Sequence, residues 1–254
     1  MLVVERQQKI IEVINEKKSV RVSELSKLFS VTEETIRRDL EKLEAEQKLT
    51  RSHGGAVSVQ MSDAEELPFE KREITNVAEK SEIARLAVEQ VEEGDTIVLD
   101  ASSTAWYMAK TLPDMKLTVV TNSLKVAMEL SAKKLITVIS TGGTLLDGSL
   151  SFVGPLATSS LDTYYVNKAF ISCKGFHFER GLSESDERQA LVKKKMMDIA
   201  HTVYIMLDHT KFDVQAFSKL GEIQDANHLI IDKKLDLASR KRLQDQGLCL
   251  ISSE

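Results

Sequence analysis

Two hydrophobic rhythms run along this chain, and they change near residue 76. Over the first 57 residues, apolar positions recur at helical spacing: Ile10, Ile11, Val13 and Ile14 form one stripe, Leu25, Leu28 and Phe29 a second. Ile36, Leu40 and Leu43, at i, i+4 and i+7, form a third. Three short helices are expected. Ser23 caps the second and Thr32 the third, which carries Glu33 and Glu34 in its first turn, where the helix dipole favours acids. Only Ser30-Val31 separates the last two helices, so they make a helix-turn-helix. Residues 49–57 then read as two short strands around Gly54-Gly55, a wing.

Beyond residue 76 the rhythm is different. An amphipathic helix over 76–93 precedes short apolar runs at 96–99, 117–120, 135–139, 169–172, 202–207, 229–231 and 248–251. Helical stretches at 104–112, 123–131, 156–163, 186–200 and 235–246 alternate with them. Apolar strands alternating with helices predict an α/β domain with a parallel sheet covered on both faces. Between the two regions, residues 58–75 have no period, carry Pro68 and the charged EELPFEKRE, and read as a connector. The expected organisation is therefore 1–57, 58–75 and 76–254.

Composition narrows the classes. Of 254 residues, 42% are apolar and 29% charged, which excludes intrinsic disorder and fibrous repeats. The apolar runs fall far short of the ~20 residues of a membrane span, and no basic start with an apolar block marks a signal peptide. Two cysteines, Cys173 and Cys249, make no disulfide framework and fit a reducing cytoplasm. Five scattered histidines show no metal-ligand spacing, so no metal or cofactor is expected. The net charge of −5 argues against a polyanionic partner until it is divided. The first 57 residues hold 11 Lys/Arg against 10 Asp/Glu, and the acidic excess belongs to the remainder.

The third helix turns Glu34 and Arg38 away from its apolar seam, with Thr35 and Arg37 on the flanks. Arginine, glutamate and threonine near a helix N-terminus suit base edges in a major groove, and they equally suit a solvated face. Arg51 and His53 in the wing suit the phosphate backbone. In the second region the informative positions follow the strands, because ligands of open α/β sheets bind there. They read Asp100-Ala101-Ser102-Ser103-Thr104, Thr121-Asn122-Ser123, Ser140-Thr141-Gly142-Gly143-Thr144, Cys173-Lys174-Gly175 and Asp208-His209-Thr210-Lys211. Hydroxyls at a helix start suit a phosphate cradle as well as a plain N-cap. Together the five loops suit a small polar anion.

Residues 22–57, VSELSKLFSVTEETIRRDLEKLEAEQKLTRSHGGAV, closely resemble the winged helix-turn-helix of the DeoR family of bacterial transcriptional regulators. Gln47 departs from the glycine usual there. EKSEIARLA with Lys80, DASST, VVTNSL, the GG followed by GPLA, KAFISCKG, VKKKM and LDHTKF are similar to that family's C-terminal sensor domain. The resemblance implies a Rossmann-like α/β domain sharing its fold with ribose-5-phosphate isomerase. Ser102 departs from a common glycine, residues 144–147 lack a common arginine, and Gln189 replaces a common glutamate.

What the resemblance implies is a regulator, expected to repress a sugar-use operon under control of a phosphorylated sugar, binding operator DNA as a homo-oligomer. The DNA-facing set is Ser23, Thr32, Glu34, Thr35, Arg37, Arg38, Arg51, His53 and Gly54. The effector set is Asp100, Ser102, Ser103, Thr104, Asn122, Gly142, Gly143, Lys174 and Lys211, with Asp208 close by. Catalysis is the rival reading, with Asp100, Glu187, Lys174 or Lys211 as acid–base groups; a tethered DNA-binding head favours sensing.

Overall fold

The three apolar stripes at the start of the chain meet in a single core. The computed structural model describes residues 3–17, 19–45, 48–52, 55–58 and 67–253, and the chain divides into units Met1–Glu65 and Glu66–Glu254. In the first unit α1 (Val3–Lys17), α2 (Val22–Phe29) and α3 (Glu33–Ala45) surround Ile10, Ile14, Leu25, Ile36, Leu40 and Leu43, all fully buried. A three-stranded antiparallel sheet of β1 (Ser19–Arg21), β2 (Leu49–Ser52) and β3 (Gly55–Ser58) closes the wing, in the order β1-β3-β2.

Two expectations need correcting here. Ser23 does not cap α2: Arg21 occupies the N-cap without a side-chain bond, because β1 runs directly into the helix and Ser23 falls inside its first turn. Leu28 is exposed rather than inward, whereas Leu25 carries the contact. Thr32 does cap α3, its Oγ1 accepting from the Thr35 amide at 3.2 Å. Gln47, His53 and Gly54 lie outside the described residues.

The second unit opens with α4 (Phe69–Glu73) and α5 (Val77–Val88), followed by β4 (Thr96–Leu99), α6 (Ser103–Thr111), β5 (Leu117–Thr121), α7 (Leu124–Leu130) and β6 (Ile136–Ser140). A hairpin of β7 (Thr144–Leu146) and β8 (Ser151–Val153) leads to α8 (Pro155–Leu161) and β9 (Val166–Ile171). Then come β10 (Gly175–His177), β11 (Gly181–Glu184), α9 (Glu187–Asp198), β12 (Ala200–Leu207) and β13 (Ser218–Gly221). The chain ends with β14 (His228–Ile231), α10 (Leu237–Asp245) and β15 (Cys249–Ile251).

The seven predicted apolar runs form one parallel sheet, ordered β15-β14-β12-β9-β4-β5-β6. Its strands alternate between two cores. Val98, Val120, Ala169 and Ile205 face one side, packed with α8 and α9, while Ile97, Leu99, Val119, Phe170 and Met206 face the other with α5 and α6. Burial on both faces is why these strands read as continuous apolar runs. The three-residue and four-residue strands of the β7–β8 hairpin and of the β10-β11-β13 sheet have no such signature and went unforeseen.

Part of the expected connector belongs to the second unit. Phe69 is fully buried, its ring edge-on to Trp106 at 6.0 Å, and its amide donates to Gly148 O at 2.8 Å. The Tyr107 hydroxyl donates to Glu73 O at 2.8 Å, and Lys125 pairs with the Glu73 carboxylate at 3.2 Å. A buried aromatic and these polar contacts dock the charged run on the second unit.

Candidate functional site

On α3 the exposed side chains are organised by the helix itself. Glu33 sits 2.8 Å from Arg37, and Glu34 lies 3.7 Å from Arg37 and 3.6 Å from Arg38. Pairs this exposed are weak, so both guanidiniums are released at little cost. Behind this face a polar lock holds α3 on α1. Buried Asp39 accepts from Arg6 Nε at 2.6 Å and from Gln7 Nε2 at 3.0 Å. Sequence reading passed over this lock; its one signal was an aspartate three residues after Ile36, beside the apolar seam. Arg51 lies in β2, and only its backbone is described.

The order of the sheet decides where the second site lies. From β4 the chain proceeds outward through β5 and β6, then returns to place β9 on the other side of β4. The carboxyl ends of β4 and β9 therefore flank a topological switch point, where a crevice opens between diverging connections. A cleft of about 660 Å³, solvent at its mouth included, lies there. Ser102, Ser103 and Thr104 line it from beyond the end of β4, Ser172, Cys173 and Lys174 from beyond β9, Glu184 and Ser185 from the end of β11 and the residue after it, and Lys193 from α9. Arg72, Thr75, Asn76 and Lys80 close it from the α4–α5 segment, and Lys211 from the turn after β12. Five basic residues thus face one acidic residue among the described lining.

Asp100 organises the floor without reaching the cleft. It is fully buried; Oδ1 accepts from the Ser102 amide at 3.2 Å and its hydroxyl at 2.6 Å, and Oδ2 from the Ser172 amide at 3.0 Å. Lys193 Nζ stands 3.1 Å from the same Oδ2. One carboxylate thereby ties the ends of β4 and β9 together, and with both oxygens occupied it is badly placed for general-base chemistry. Ser102 Oγ in turn caps α6 by accepting from Ala105 N at 3.0 Å, and Ser103 and Thr104 of the first turn line the cleft.

Lys80 is a latch. Its Nζ donates to Arg72 O and Thr75 O, both at 2.6 Å, holding the α4–α5 corner over the cleft. Burial pulls its pKa down to about 8, against the opposing pull of Asp208. Asp208 is itself buried and accepts from Thr210 N at 3.0 Å and Asn76 Nδ2 at 3.4 Å; it orders that corner without lining the cleft. Burial pushes the Cys173 thiol up to about 12, so it lines the wall as a small apolar group.

Of the expected effector set, the cleft gathers Ser102, Ser103, Thr104, Lys174 and Lys211, with Asp100 and Asp208 behind them. Asn122, Gly142 and Gly143 do not line it. They follow β5 and β6, on the far side of β4 from β9, where Asn122 donates to Phe152 O at 3.0 Å and Gly143 packs against Val153 and Ala157. Arg72, Asn76, Ser172, Glu184, Ser185 and Lys193 were missed. Only VKKKM and Lys80 had pointed near them. Among the described residues no His/Cys/Asp/Glu cluster could hold a metal, and no helix is long and apolar enough to cross a membrane.

A family model described as the DeoR-like helix-turn-helix domain matches residues 6–62, and one described as the DeoR C terminal sensor domain matches residues 75–233. The chain is 59% identical to the HTH-type transcriptional regulator YulB of Bacillus subtilis, over 97% of this chain and 95% of that protein. It is 35% identical to the L-fucose operon activator of Escherichia coli (90% of this chain, 95% of that one) and 33% identical to the transcriptional repressor AccR of Agrobacterium fabrum (90% and 89%). Among solved structures, ribose 5-phosphate isomerase A from Methanocaldococcus jannaschii matches 54% of this chain and 55% of its own at 19% identity, with a TM-score of 0.42.

Proposed function

This chain belongs to the DeoR family of DNA-binding transcriptional regulators, and from that premise we propose that it represses a sugar-use operon in the cytoplasm under control of a phosphorylated sugar held in the switch-point cleft. The carrying observation is the cleft itself, lined by five basic residues and by the hydroxyls at the N-terminus of α6. Cations, hydroxyls and helix amides in that arrangement suit a phosphate dianion. The name of one relative, an L-fucose operon activator, supports a sugar as the signal.

Residues 1–57 read the operator through α3 and the wing, with Thr32, Glu34, Thr35, Arg37, Arg38, Arg51, His53 and Gly54 as the contact set. Residues 76–254 sense and oligomerise. A single small head makes a limited interface, so a dimer or tetramer on repeated half-sites supplies the affinity. Ligand acts through its differential affinity for two arrangements of the heads. Arg72 and Thr75, within the expected connector, and Asn76 line the cleft, so the ligand grips the segment that leads to the heads.

The test is gel retention of the operator with and without a panel of sugar phosphates. Thr104→Trp fills the cleft and is expected to keep operator binding while abolishing the response. A response that persists in the variant overturns this assignment of the site. Interconversion of aldose and ketose phosphates at enzyme-like rates by the purified protein overturns the pure-sensor reading.

A further inference from the structure

The lining of the cleft is chemically mixed. Lys174, Lys211 and the hydroxyls of α6 bring donors to it. Lys193 is held within the protein: its Nζ donates to Ser172 O at 2.8 Å, stands 3.1 Å from Asp100, and pairs with Glu184 Oε1. An ammonium has three N–H donors, and those acceptors account for them. Lys193, shared between Asp100 and Glu184, thus orients Glu184 rather than receiving an incoming anion, and one ammonium against two carboxylates leaves the cluster negative. A carboxylate offers about four acceptor sites, and Lys193 occupies one oxygen. Glu184 is buried and lines the cleft. The next residue, Ser185, is also buried and lines the same cleft, and its Oγ has no hydrogen-bond partner. A buried hydroxyl without a partner is costly and points to a group that arrives with the ligand.

On the reading of the cleft as a phosphorylated-sugar site, we infer that Glu184 and Ser185 form a polyol-reading subsite that sets which sugar phosphate the protein answers to. A carboxylate that accepts and a hydroxyl that both donates and accepts are complementary to the hydroxyls of a sugar chain. The same carboxylate repels an anionic group, so the ligand lies with its phosphate toward Lys174, Lys211 and Thr104 and its hydroxylated end toward Glu184. Asp100 and Lys193 act through Glu184 as positioning residues. The discrimination comes from polar groups left unpaired when a ligand lacks the matching hydroxyl.

The experiment is calorimetric titration of the full chain with inorganic phosphate, methyl phosphate, glycerol 3-phosphate and a set of hexose 6-phosphates. Wild-type affinity is expected to rise with added hydroxyls. Glu184→Gln is expected to lose about tenfold or more of that gain, as for a hydrogen bond to a charged group, while binding of inorganic phosphate is unchanged. Ser185→Ala leaves the Glu184–Lys193 pair intact. It should weaken the polyol phosphates by roughly threefold to tenfold with the ligand-free melting temperature unchanged or raised, since the hydroxyl it removes has no partner. If both variants keep the full gain, or if Glu184→Gln weakens only an amino-sugar phosphate, the inference falls. If no probe binds the wild type, including inorganic phosphate, the phosphorylated-ligand reading itself falls. Lys211→Ala separates the two: it should weaken every phosphate alike.

Discussion

Arg38 stands on the outer face of α3 with its side chain 77% exposed and only a loose partner in Glu34. Such a pair contributes on the order of 0–1 kcal/mol to the fold, so the guanidinium is spare for DNA. Arg38→Ala is expected to cost roughly 1–3 kcal/mol of operator affinity and to relax preference at one base pair, with the melting temperature unmoved. Fluorescence anisotropy against single-base operator variants checks this, and unchanged affinity removes Arg38 from the reading set. Lys80 gives a prediction of a different kind. Its folded pKa, about 8, lies below its ordinary 10.5, so between those pH values the unfolded chain holds a proton that the native state has released. Stability therefore rises with pH across that window, relative to Lys80→Met, and the difference levels off below pH 8. The neutral amine still has two N–H groups for the carbonyls of Arg72 and Thr75. Urea unfolding of both proteins across the window measures the sign; a difference that falls with rising pH contradicts it.

At the scale of elements, those with a long apolar period were legible and the short ones were not. All seven strands of the parallel sheet and the helices α5 to α10 announced themselves, because a strand buried on both faces and a helix buried on one leave a local signature. β1, with only Ser19, Val20 and Arg21, leaves none, although it completes the wing. Its trace is the demand it places on β3: a Cβ on Gly55 would lie 2.3 Å from Val20 O. Gly55→Ala is expected to push β1 and β3 apart and lower the stability of the first unit by about 1–3 kcal/mol, read as its melting temperature. The charged EELPFEKRE reads as connector, yet it contains α4, which Phe69 anchors edge-on to Trp106 and which Tyr107 and Lys125 hold at Glu73. The β10-β11-β13 sheet, which delivers Glu184 and Ser185, is built from strands of three and four residues that alternate too briefly to be seen.

For the molecule as a whole, the two units have separate cores and very different margins. A domain of about 60 residues buries a smaller share of its unfolded surface, roughly 60%, than a larger domain does and is correspondingly marginal, so the loss of the Arg6–Asp39 lock weighs heavily on the first unit. Asp39→Ala leaves Arg6 buried without its carboxylate, a loss of roughly 3–5 kcal/mol. Calorimetry is expected to show the first unit's transition lowered or abolished and the second unchanged. On the proposed function, operator binding is expected to be lost and sugar-phosphate binding to persist. A common shift of both transitions would mean that the units unfold together.

By itself the sequence determined the division into a helical head and an alternating α/β body, the buried seam of α3, the seven strands, and the hydroxyl-rich start of α6. Each is a matter of local spacing, and burial imprints local spacing directly. Tertiary structure alone decided the order of those strands. With β9 beside β4, the crevice opens over Ser102–Thr104 and Ser172–Lys174 and leaves Asn122, Gly142 and Gly143 on the far side. It also draws in Arg72, Glu184, Ser185 and Lys193 from segments distant along the chain. Strand pairing is a long-range choice among similar apolar runs, and no local period records which run lies next to which.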